Sequence, residues 1–231
     1  MIFFNNVTKI YPAHFTKKEK TVLEEVSFKV GKGEFVSIVG RSGAGKTTLF
    51  KMILGEEKPT DGNIFFDGED VHKISSHRFY KVRRRIGTIF QDYKLLPAKT
   101  VYENVAYAME VTGVDEEEIE RDVPEILEIV GLLEQASHFP HQLSGGEQQR
   151  TAIARALIHQ PDLILADEPT GDLDPYHARD IIKLLLRINE WGTTIILATH
   201  SKEAINNIGK RVITLREGKI ASDNEKGKFI L

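Results

Sequence analysis

Short apolar runs bounded by glycine, proline or charged residues recur along the chain and predict buried strands. Three of them occupy residues 35–39, 163–166 and 194–198. The first run leads into a glycine-rich loop and then into an apolar face at helical spacing, which Gly55 is suited to end. The other two runs flank a helical pattern, and this order of elements predicts parallel strands joined by a right-handed crossover. The pattern therefore predicts an α/β fold with a mainly parallel sheet.

The predicted helix between the last two runs has well-defined ends. Asp174 suits the N-cap, Pro175 suits the first helical position, and Gly192 follows the last turn. A second helical pattern covers residues 115–130 but contains Pro124, and a proline inside a helix costs about 3 kcal/mol. We therefore expect either a kink or two helices, with Pro124 opening the second.

Antiparallel strands are predicted near both ends of the chain. Residues 63–66 form a short apolar run between turn residues, and we expect this antiparallel β flank to pair with the strand around residues 26–28. Residues 211–215 and 219–221 flank a Glu-Gly turn and predict a terminal hairpin.

The chain has 231 residues, enough for one large domain with an insertion. We predict a single domain over residues 1–231, in which an inserted helical subdomain spans roughly residues 91–155. A content of 41% hydrophobic and 28% charged residues is typical of a globular protein. The formal net charge of -3 includes no basic excess, so we expect no nucleic-acid partner.

Membrane insertion and thiol chemistry are both disfavoured by the sequence. No stretch approaches the roughly 18 apolar residues that span a bilayer. The N-terminus lacks the basic start and long apolar stretch of a signal peptide. The absence of cysteine excludes disulfides, thiol catalysis and thiolate metal sites, and it is compatible with the cytosol.

The loop after the first strand contains GRSGAGKT at residues 40–47, the full spacing of a phosphate-binding P-loop. Its glycines let backbone N–H groups converge on phosphate oxygens, and the helix N-terminus adds partial positive charge. Lys46 is expected to neutralise the β- and γ-phosphates of a bound nucleotide, and Thr47 to offer its hydroxyl to Mg²⁺. The predicted nucleotide-binding residues here are Gly40, Arg41, Ser42, Gly43, Ala44, Gly45, Lys46, Thr47 and Thr48.

Two adjacent carboxylates, Asp167 and Glu168, follow the apolar run at residues 163–166. A P-loop site needs one group to hold Mg²⁺ and another to handle the attacking water. Successive side chains of a strand point in opposite directions. We therefore predict that Asp167 faces the metal and that Glu168 faces the γ-phosphate as general base.

A second glycine motif, LSGGEQQR at residues 143–150, resembles the signature motif of the ABC ATPases. Ser144, Gly145 and Gly146 expose backbone donors at a predicted helix N-terminus, which makes a second anion site. Two phosphate sites for one γ-phosphate indicate a dimer. In the ABC family two subunits associate head to tail, and the signature loop of one closes over ATP at the P-loop of the other.

The resemblance covers nearly the whole chain and implies the P-loop NTPase core of an ABC ATPase. It implies that Gln91 lies between Mg²⁺ and a transmembrane partner, that residues 171–174 form the D-loop, and that His200 contacts the γ-phosphate. The metal-binding residues implied are Thr47, Gln91 and Asp167, and the catalytic residues are Lys46, Glu168 and His200.

Some positions match the family less closely. Tyr11 matches the aromatic residue that stacks on adenine, a contact worth about 1 to 3 kcal/mol. Phe15 and His14 lie close to Tyr11 in the sequence, and packing of Tyr11 in the core is the alternative. Asp172 stands where asparagine is usual in the D-loop, and Ser201 stands where aspartate is frequent. These two departures leave the contacts across the dimer open.

Within the family, residues 83–96 and 100–105 resemble the cell-division ATPases most. This resemblance implies a cytoplasmic subunit, peripheral on the inner face of the cell membrane, that dimerises on ATP and drives an integral membrane protein. ATPases of lipoprotein-release and macrolide-export systems share much of the pattern and are the alternative. A non-hydrolysing, nucleotide-gated scaffold is a further possibility, against which Glu168 and His200 argue.

Two groups of residues bear on contact with the partner or with the membrane. An apolar group is expected to divide between the core and a groove near Gln91 for a partner helix. Its members are Tyr93, Leu95, Leu96, Val101, Tyr102 and Val105. A basic group is expected on a solvated or salt-bridged face, with anionic lipid headgroups as the alternative. Its members are Arg78, Lys81, Arg83, Arg84 and Arg85.

Overall fold

The computed structural model describes residues 1–12 and 19–227, so His14 and Phe15 lie outside the described residues. Within these two ranges no helix is both long and apolar enough to cross a lipid bilayer. The strands are β1 (Ile2–Tyr11), β2 (Lys20–Val30), β3 (Phe35–Val39), β4 (Asp61–Phe66), β5 (Glu69–Asp70), β6 (Ile86–Ile89), β7 (Leu163–Asp167), β8 (Thr194–Thr199), β9 (Arg211–Arg216) and β10 (Lys219–Asn224). The α-helices are α1 (Lys46–Ile53), α2 (Ser76–Arg84), α3 (Val101–Glu110), α4 (Glu116–Val130), α5 (Gly145–Leu157), α6 (Pro175–Glu190) and α7 (Lys202–Ile208). The 3₁₀ helices are Leu133–Gln135 and Pro140–Gln142.

A mainly parallel sheet forms the centre of the fold, with the strand order β10-β9-β3-β8-β7-β6. All neighbours in it are parallel except the β9–β10 pair. Every residue of β3 and β8 is buried, as expected for parallel strands that helices cover on both faces. The predicted α/β fold with a mainly parallel sheet is therefore confirmed.

The order of these strands brings the predicted site residues to one edge. The P-loop follows β3, Asp167 ends β7, and His200 follows β8, which lies between β3 and β7. Since the carboxyl ends of neighbouring parallel strands meet at the same edge, the three segments converge there. This edge is where open α/β sheets place their ligands.

The antiparallel sheet has the strand order β2-β1-β4-β5, and the expectation that β4 pairs with the strand around residues 26–28 is wrong. β4 pairs with β1, where Phe4 lies opposite Ile64, and β1 separates β4 from β2. β1 takes the central place because Ile2, Phe4 and Val7 are buried in the core while both of its edges form ladders.

Helices α3, α4 and α5 lie between β6 and β7 in the sequence and contact one another. Pro124 lies inside the single helix α4, so of the two alternatives the one with two helices is wrong and the kink stays a prediction. Val123 and Leu127 on either side of it are fully buried, and their packing offsets the cost of the proline. One hydrophobic cluster joins these helices to α6 and to the central strands. A separate subdomain over residues 91–155 stays a prediction.

The predicted ends of α6 and the terminal hairpin are both present. The Asp174 side chain accepts hydrogen bonds from the backbone N–H groups of Tyr176 (2.9 Å) and His177 (3.2 Å). β9 and β10 form the hairpin, whose turn also joins the two sheets. There the Glu24 N–H donates to the Gly218 carbonyl at 2.9 Å.

Candidate functional site

An open cavity of about 1040 Å³ lies at the carboxyl ends of β3, β7 and β8. The predicted site residues that line it are Tyr11, Arg41, Ser42, Gly43, Ala44, Gly45, Lys46, Thr47, Thr48, Gln91, Asp167, Glu168 and His200. Gly40 underlies the loop, because a Cβ at this position would lie 2.7 Å from the carbonyl oxygen of Leu215. The structure thus brings the predicted P-loop, metal-binding and catalytic residues into one cavity.

The P-loop leads directly into α1. Gly45 has φ +104° immediately before the helix, and a Cβ on it would lie 2.7 Å from Leu23 Cδ2, so only glycine fits. No side-chain hydrogen bond caps α1, which leaves its first N–H groups for an anion. The buried Lys46 Nζ donates to the Gly40 carbonyl at 2.9 Å, which folds the lysine back over the loop. The loop therefore has the backbone geometry of a phosphate site.

Thr47 and Asp167 form a contact between α1 and β7. The Thr47 hydroxyl donates to Asp167 Oδ2 at 2.7 Å. Burial raises the pKa of Asp167, and the neighbouring Glu168 raises it further, while the Thr47 hydrogen bond acts against both.

The Gln91 Nε2 donates to Asp172 Oδ1 at 3.0 Å. Asp172, one of the two departures from the family pattern, is therefore paired.

Five contacts hold Glu168, whose backbone is in the left-handed region at φ +47°. Its carbonyl accepts a hydrogen bond from the Gly171 N–H at 3.0 Å. Its N–H donates to the Ala198 carbonyl at 2.8 Å, which ties it to β8. Its Oε1 lies 3.2 Å from Lys46 Nζ and 2.9 Å from His200 Nδ1. The His200 N–H donates to Oε2 at 3.1 Å. The left-handed conformation, which the sequence did not indicate, turns this carboxylate towards the P-loop.

Ser144 of the signature motif caps α5 in a reciprocal arrangement with Glu147. The Glu147 N–H donates to Ser144 Oγ at 3.3 Å, and the Ser144 hydroxyl donates to Glu147 Oε2 at 2.7 Å. The Ser144 N–H donates to the same carboxylate oxygen at 2.8 Å. These hydrogen bonds lower the pKa of Glu147. The serine is therefore held at the helix N-terminus with its hydroxyl committed to a carboxylate.

The signature loop is not part of the nucleotide cavity. None of Ser144, Gly145 and Gly146 is among the described residues that line it. A Cβ on Gly146 would lie 2.7 Å from the His177 ring, and a Cβ on Gly145 would lie 3.1 Å from the Tyr93 hydroxyl. Within one chain, the two predicted phosphate sites remain apart.

Tyr11 ends β1, is half-buried, and lies at the wall of the cavity, so the core-packing alternative does not describe its position. The Lys9 ammonium lies 4.7 Å from the centre of its ring.

Ser201, the other departure from the family pattern, caps α7 by accepting a hydrogen bond from the Ala204 N–H at 3.3 Å. The sequence missed some lining residues, since no local motif marks them: Lys20, Val22, Phe90 and Asp92.

Part of the apolar group lies in the core, and its predicted groove for a partner helix stays a prediction. Val101 and Val105 are fully buried in the core. Leu96 lines a second cavity of about 360 Å³ between α2, α3 and α5. We call this second cavity the groove. Gln91 lies in the nucleotide cavity instead, and the Tyr93 side chain lies near the start of α5. Of Gln91, Tyr93 and Leu96, Leu96 is therefore the one that lines the groove.

Three members of the basic group have partners within the chain. Arg85 bonds to Asp67 and, at 2.6 Å, to Asp162. Arg83 Nε donates to the Leu54 carbonyl at 3.1 Å, and Arg78 lies 3.6 Å from Glu69. These contacts favour a salt-bridged face over a lipid-binding one.

A strand, a P-loop and a helix beside a carboxylate-tipped strand define a P-loop nucleotide-binding protein. A family profile described as ABC transporter matches residues 23–171. The chain therefore belongs to the ABC transporter family, as its motifs predicted, and is an ATPase subunit of that family.

Relatives place the chain more closely within the family. It is 47% identical to the cell division ATP-binding protein FtsE of Bacillus subtilis over 99% of this chain and 98% of that protein. It is 44% identical to FtsE of Mycobacterium tuberculosis over the same shares. Among solved structures, the ATP-binding cassette MJ0796, a dimer in a post-hydrolysis state with ADP and Pi, superimposes with a TM-score of 0.88. That match has 36% identity and covers 99% of this chain and 100% of the other. The predicted resemblance to cell-division ATPases is confirmed.

Proposed function

We propose that the chain is the Mg²⁺-dependent, ATP-hydrolysing subunit of a cell-division membrane complex and acts with an FtsX-like integral membrane protein. It works at the cytoplasmic, inner face of the cell membrane, reaches the membrane only through that partner, and binds no nucleic acid. The observation that carries the proposal is the convergence of Lys46 and His200 on Glu168 at the edge of the P-loop cavity.

ATP binding falls to the P-loop and Tyr11. The N–H groups at the start of α1 and the Lys46 ammonium bind the β- and γ-phosphates, which carry the charge that this site attracts. Tyr11 stacks on the adenine at the wall of the cavity. Glu168 accepts a proton from the attacking water, while His200 orients Glu168 and donates to the γ-phosphate.

The residues around Thr47 fit a Mg²⁺ ion. A hydroxyl from Thr47, a carboxylate from Asp167 and an amide oxygen from Gln91 are the hard oxygen donors that this ion prefers. In the described part of the chain no cluster of three or more His, Cys, Asp or Glu side chains forms a cage. This suits an ion that keeps waters and phosphate oxygens as ligands. Mg²⁺ bound there would neutralise charge on the β- and γ-phosphate oxygens.

An ATP-dependent dimer would bring the signature loop of one chain to the nucleotide cavity of the other. Ser144, Gly145 and Gly146 lie outside the cavity of their own chain, and they present the N-terminus of α5 to an anion. We infer that they bind the γ-phosphate held by a second copy. The dimeric state of the similar cassette MJ0796 supports this arrangement.

The groove at Leu96 supports docking of a membrane partner. It is lined by apolar side chains, among them Leu96 and Tyr107, and by basic ones such as Arg84 and His159. Such a groove suits a short amphipathic helix on the cytoplasmic side of the partner. The similarity to the FtsE proteins supports an FtsX-like protein in this role.

ATP turnover by the purified chain tests the proposal, measured with Mg²⁺, with EDTA, and with a co-expressed FtsX-like protein from the same genome. We expect turnover that requires Mg²⁺ and a stable complex with the partner. A chain that binds the partner but turns over no ATP would instead fit a nucleotide-gated scaffold. A chain that hydrolyses ATP without binding the partner would favour a lipoprotein-release or macrolide-export system.

A further inference from the structure

Arg155, near the end of α5, makes two hydrogen bonds to a loop that is distant in the sequence. Its Nη1 donates to the Lys94 carbonyl at 2.7 Å, and its Nη2 donates to the Tyr93 carbonyl at 2.9 Å. Burial lowers the pKa of its guanidinium, and both of these hydrogen bonds go to backbone carbonyls. A guanidinium that donates to two adjacent carbonyl groups is suited to hold backbone in position.

The backbone that Arg155 holds is unusual. Tyr93 and Lys94 are consecutive non-glycine residues in the left-handed region, at φ +57° and +52°. Such residues keep this conformation only where their surroundings impose it. The two parallel donors of one guanidinium match the two adjacent carbonyls. Arg155 therefore binds both carbonyls that this left-handed turn presents, in addition to the hydrogen bond from the Tyr93 N–H to the Phe90 carbonyl within the loop.

This loop contacts α5 at two widely spaced points. At one, Arg155 holds its backbone; at the other, the Tyr93 hydroxyl lies beside Gly145, where a Cβ would be only 3.1 Å away. Gly145 and Arg155 are ten positions apart in the helix, a rise of about 15 Å. The same loop begins next to Gln91 in the nucleotide cavity. It therefore links the cavity, the groove and the signature end of α5.

We propose that Arg155 is a positioning residue that locks this loop to α5, so that changes at Gln91 or in the partner groove reach the signature loop. The proposal rests on the proposed function, in which Ser144 acts on the nucleotide of a second copy. Arg155 itself does not line the nucleotide cavity, so its role would be to position the loop and not to bind ATP. Arg155 itself lines the groove, next to Leu96, where a partner would lie.

Hydrogen exchange on the purified chain tests the link without depending on turnover. The variants are Arg155→Ala and Arg155→Lys, with Arg84→Ala as the control because Arg84 lines the same groove from α2. In Arg155→Ala we expect about tenfold faster exchange in peptides covering residues 91–96 and 144–148, because the loop loses its anchor. The lysine variant is expected to be intermediate, since a single ammonium does not reproduce the two-pronged donor.

Adding ATP and Mg²⁺ separates transmission from nucleotide binding. In the wild type we expect slower exchange at residues 40–48 and at 144–148. In Arg155→Ala only the protection at residues 40–48 should remain. Wild type without protection at residues 40–48 would count against the proposed function, whereas full protection of both segments in Arg155→Ala would overturn the role of Arg155.

Kinetics give a second readout. Arg155→Ala is expected to lower kcat by about tenfold with an unchanged dissociation constant for a fluorescent ATP analogue, because only positioning is lost. Millimolar guanidinium chloride should restore part of the rate in this variant and none in Arg84→Ala. Equal exchange in wild type and Arg155→Ala, or an identical increase in Arg84→Ala, would overturn the proposal. The proposal would also be overturned if Arg155→Ala lowered ATP affinity, kcat and melting temperature together and guanidinium chloride restored none of the rate.

Discussion

Lys46 Nζ lies 3.2 Å from Glu168 Oε1, and both side chains are largely buried. In this state the P-loop ammonium neutralises the carboxylate that we propose as general base. A triphosphate carries more negative charge than one carboxylate, so ATP is expected to draw Lys46 away. Glu168 then keeps His200 as its partner and is able to accept a proton.

Lys46→Ala is expected to weaken ATP binding at least about tenfold, because hydrogen bonds from a charged donor to the phosphates are lost. Titration with a fluorescent ATP analogue measures this. Lys51→Ala, on the exposed side of the last turn of α1, is the control and should bind as wild type does. Equal affinity of Lys46→Ala and wild type would refute the role of Lys46.

Glu168→Gln is expected to lower ATP turnover by about 10² to 10⁴-fold, the usual cost of removing a general base. The variant should still bind ATP, since the amide keeps the size of the side chain. Steady-state phosphate release is the measurement, and Glu190→Gln at the end of α6 is the control. Turnover within a few-fold of wild type would remove Glu168 from the base position.

Mg²⁺ dependence is expected to vary with pH through Asp167. Burial raises the pKa of its carboxyl, and Mg²⁺ binds the ionised form, so Mg²⁺ affinity falls as pH drops through this raised value. Titration of turnover with Mg²⁺ at several pH values measures the effect. If the Mg²⁺ affinity fell with a pH midpoint at or below the pKa of an ordinary aspartate, the role of the raised Asp167 pKa would be contradicted.

The same raised pKa predicts a stability change. The stabilisation that comes from the protonated form of Asp167 is present below the pKa of the unfolded chain and is lost as pH rises through the folded pKa. Asp167→Asn is therefore expected to melt at a higher temperature than wild type at neutral pH while losing Mg²⁺-dependent turnover.

Ser144→Arg is expected to abolish the ATP-dependent dimer. With Mg²⁺ and ATP, Glu168→Gln should elute from a sizing column as a dimer, and ADP should restore the monomer. ATP at about 100 times its dissociation constant contributes roughly 2.7 kcal/mol per site to the bound state. A bulky cation at Ser144 blocks the approach of a second copy to this loop. Ser75→Arg, at another exposed N-cap, is the control, and normal dimerisation of Glu168→Gln carrying Ser144→Arg would exclude the shared site.

Leu96→Glu is expected to reduce co-purification with an FtsX-like protein by at least about tenfold, because a partner helix that covers the groove would have to remove water from the new charge. Leu133→Glu is the control, since Leu133 is exposed in a 3₁₀ helix. ATP binding by both variants, measured in parallel, reports on folding. Unchanged co-purification would move the docking surface away from the groove.

Local motifs predicted what depends on local chemistry. The P-loop, the carboxylates after β7 and the caps of α6 each follow from a few adjacent residues, and the parallel strands follow from short buried runs. Contacts between distant segments were not predictable in this way. The central place of β1 depends on which edges its neighbours leave open, and sequence patterns give no information on that choice.

Local backbone conformation is the other feature that the sequence did not predict. Glu168 and Tyr93 adopt positive φ values that are typical of glycine or asparagine, so residue type gave no indication. Each is held by a partner from elsewhere in the chain, the Ala198 carbonyl for Glu168 and the Arg155 guanidinium for Tyr93. The strain and its compensation become visible only once the chain is folded.

The signature loop lies outside the cavity of its own chain, and this separation has a genetic consequence. A Lys46→Ala chain has a defective P-loop but offers an intact Ser144, whereas a Ser144→Arg chain has the opposite defect. When the two form a pair, both lesions fall into one ATP site and the other site is intact. Two inactive alleles expressed in the same cell would therefore complement each other.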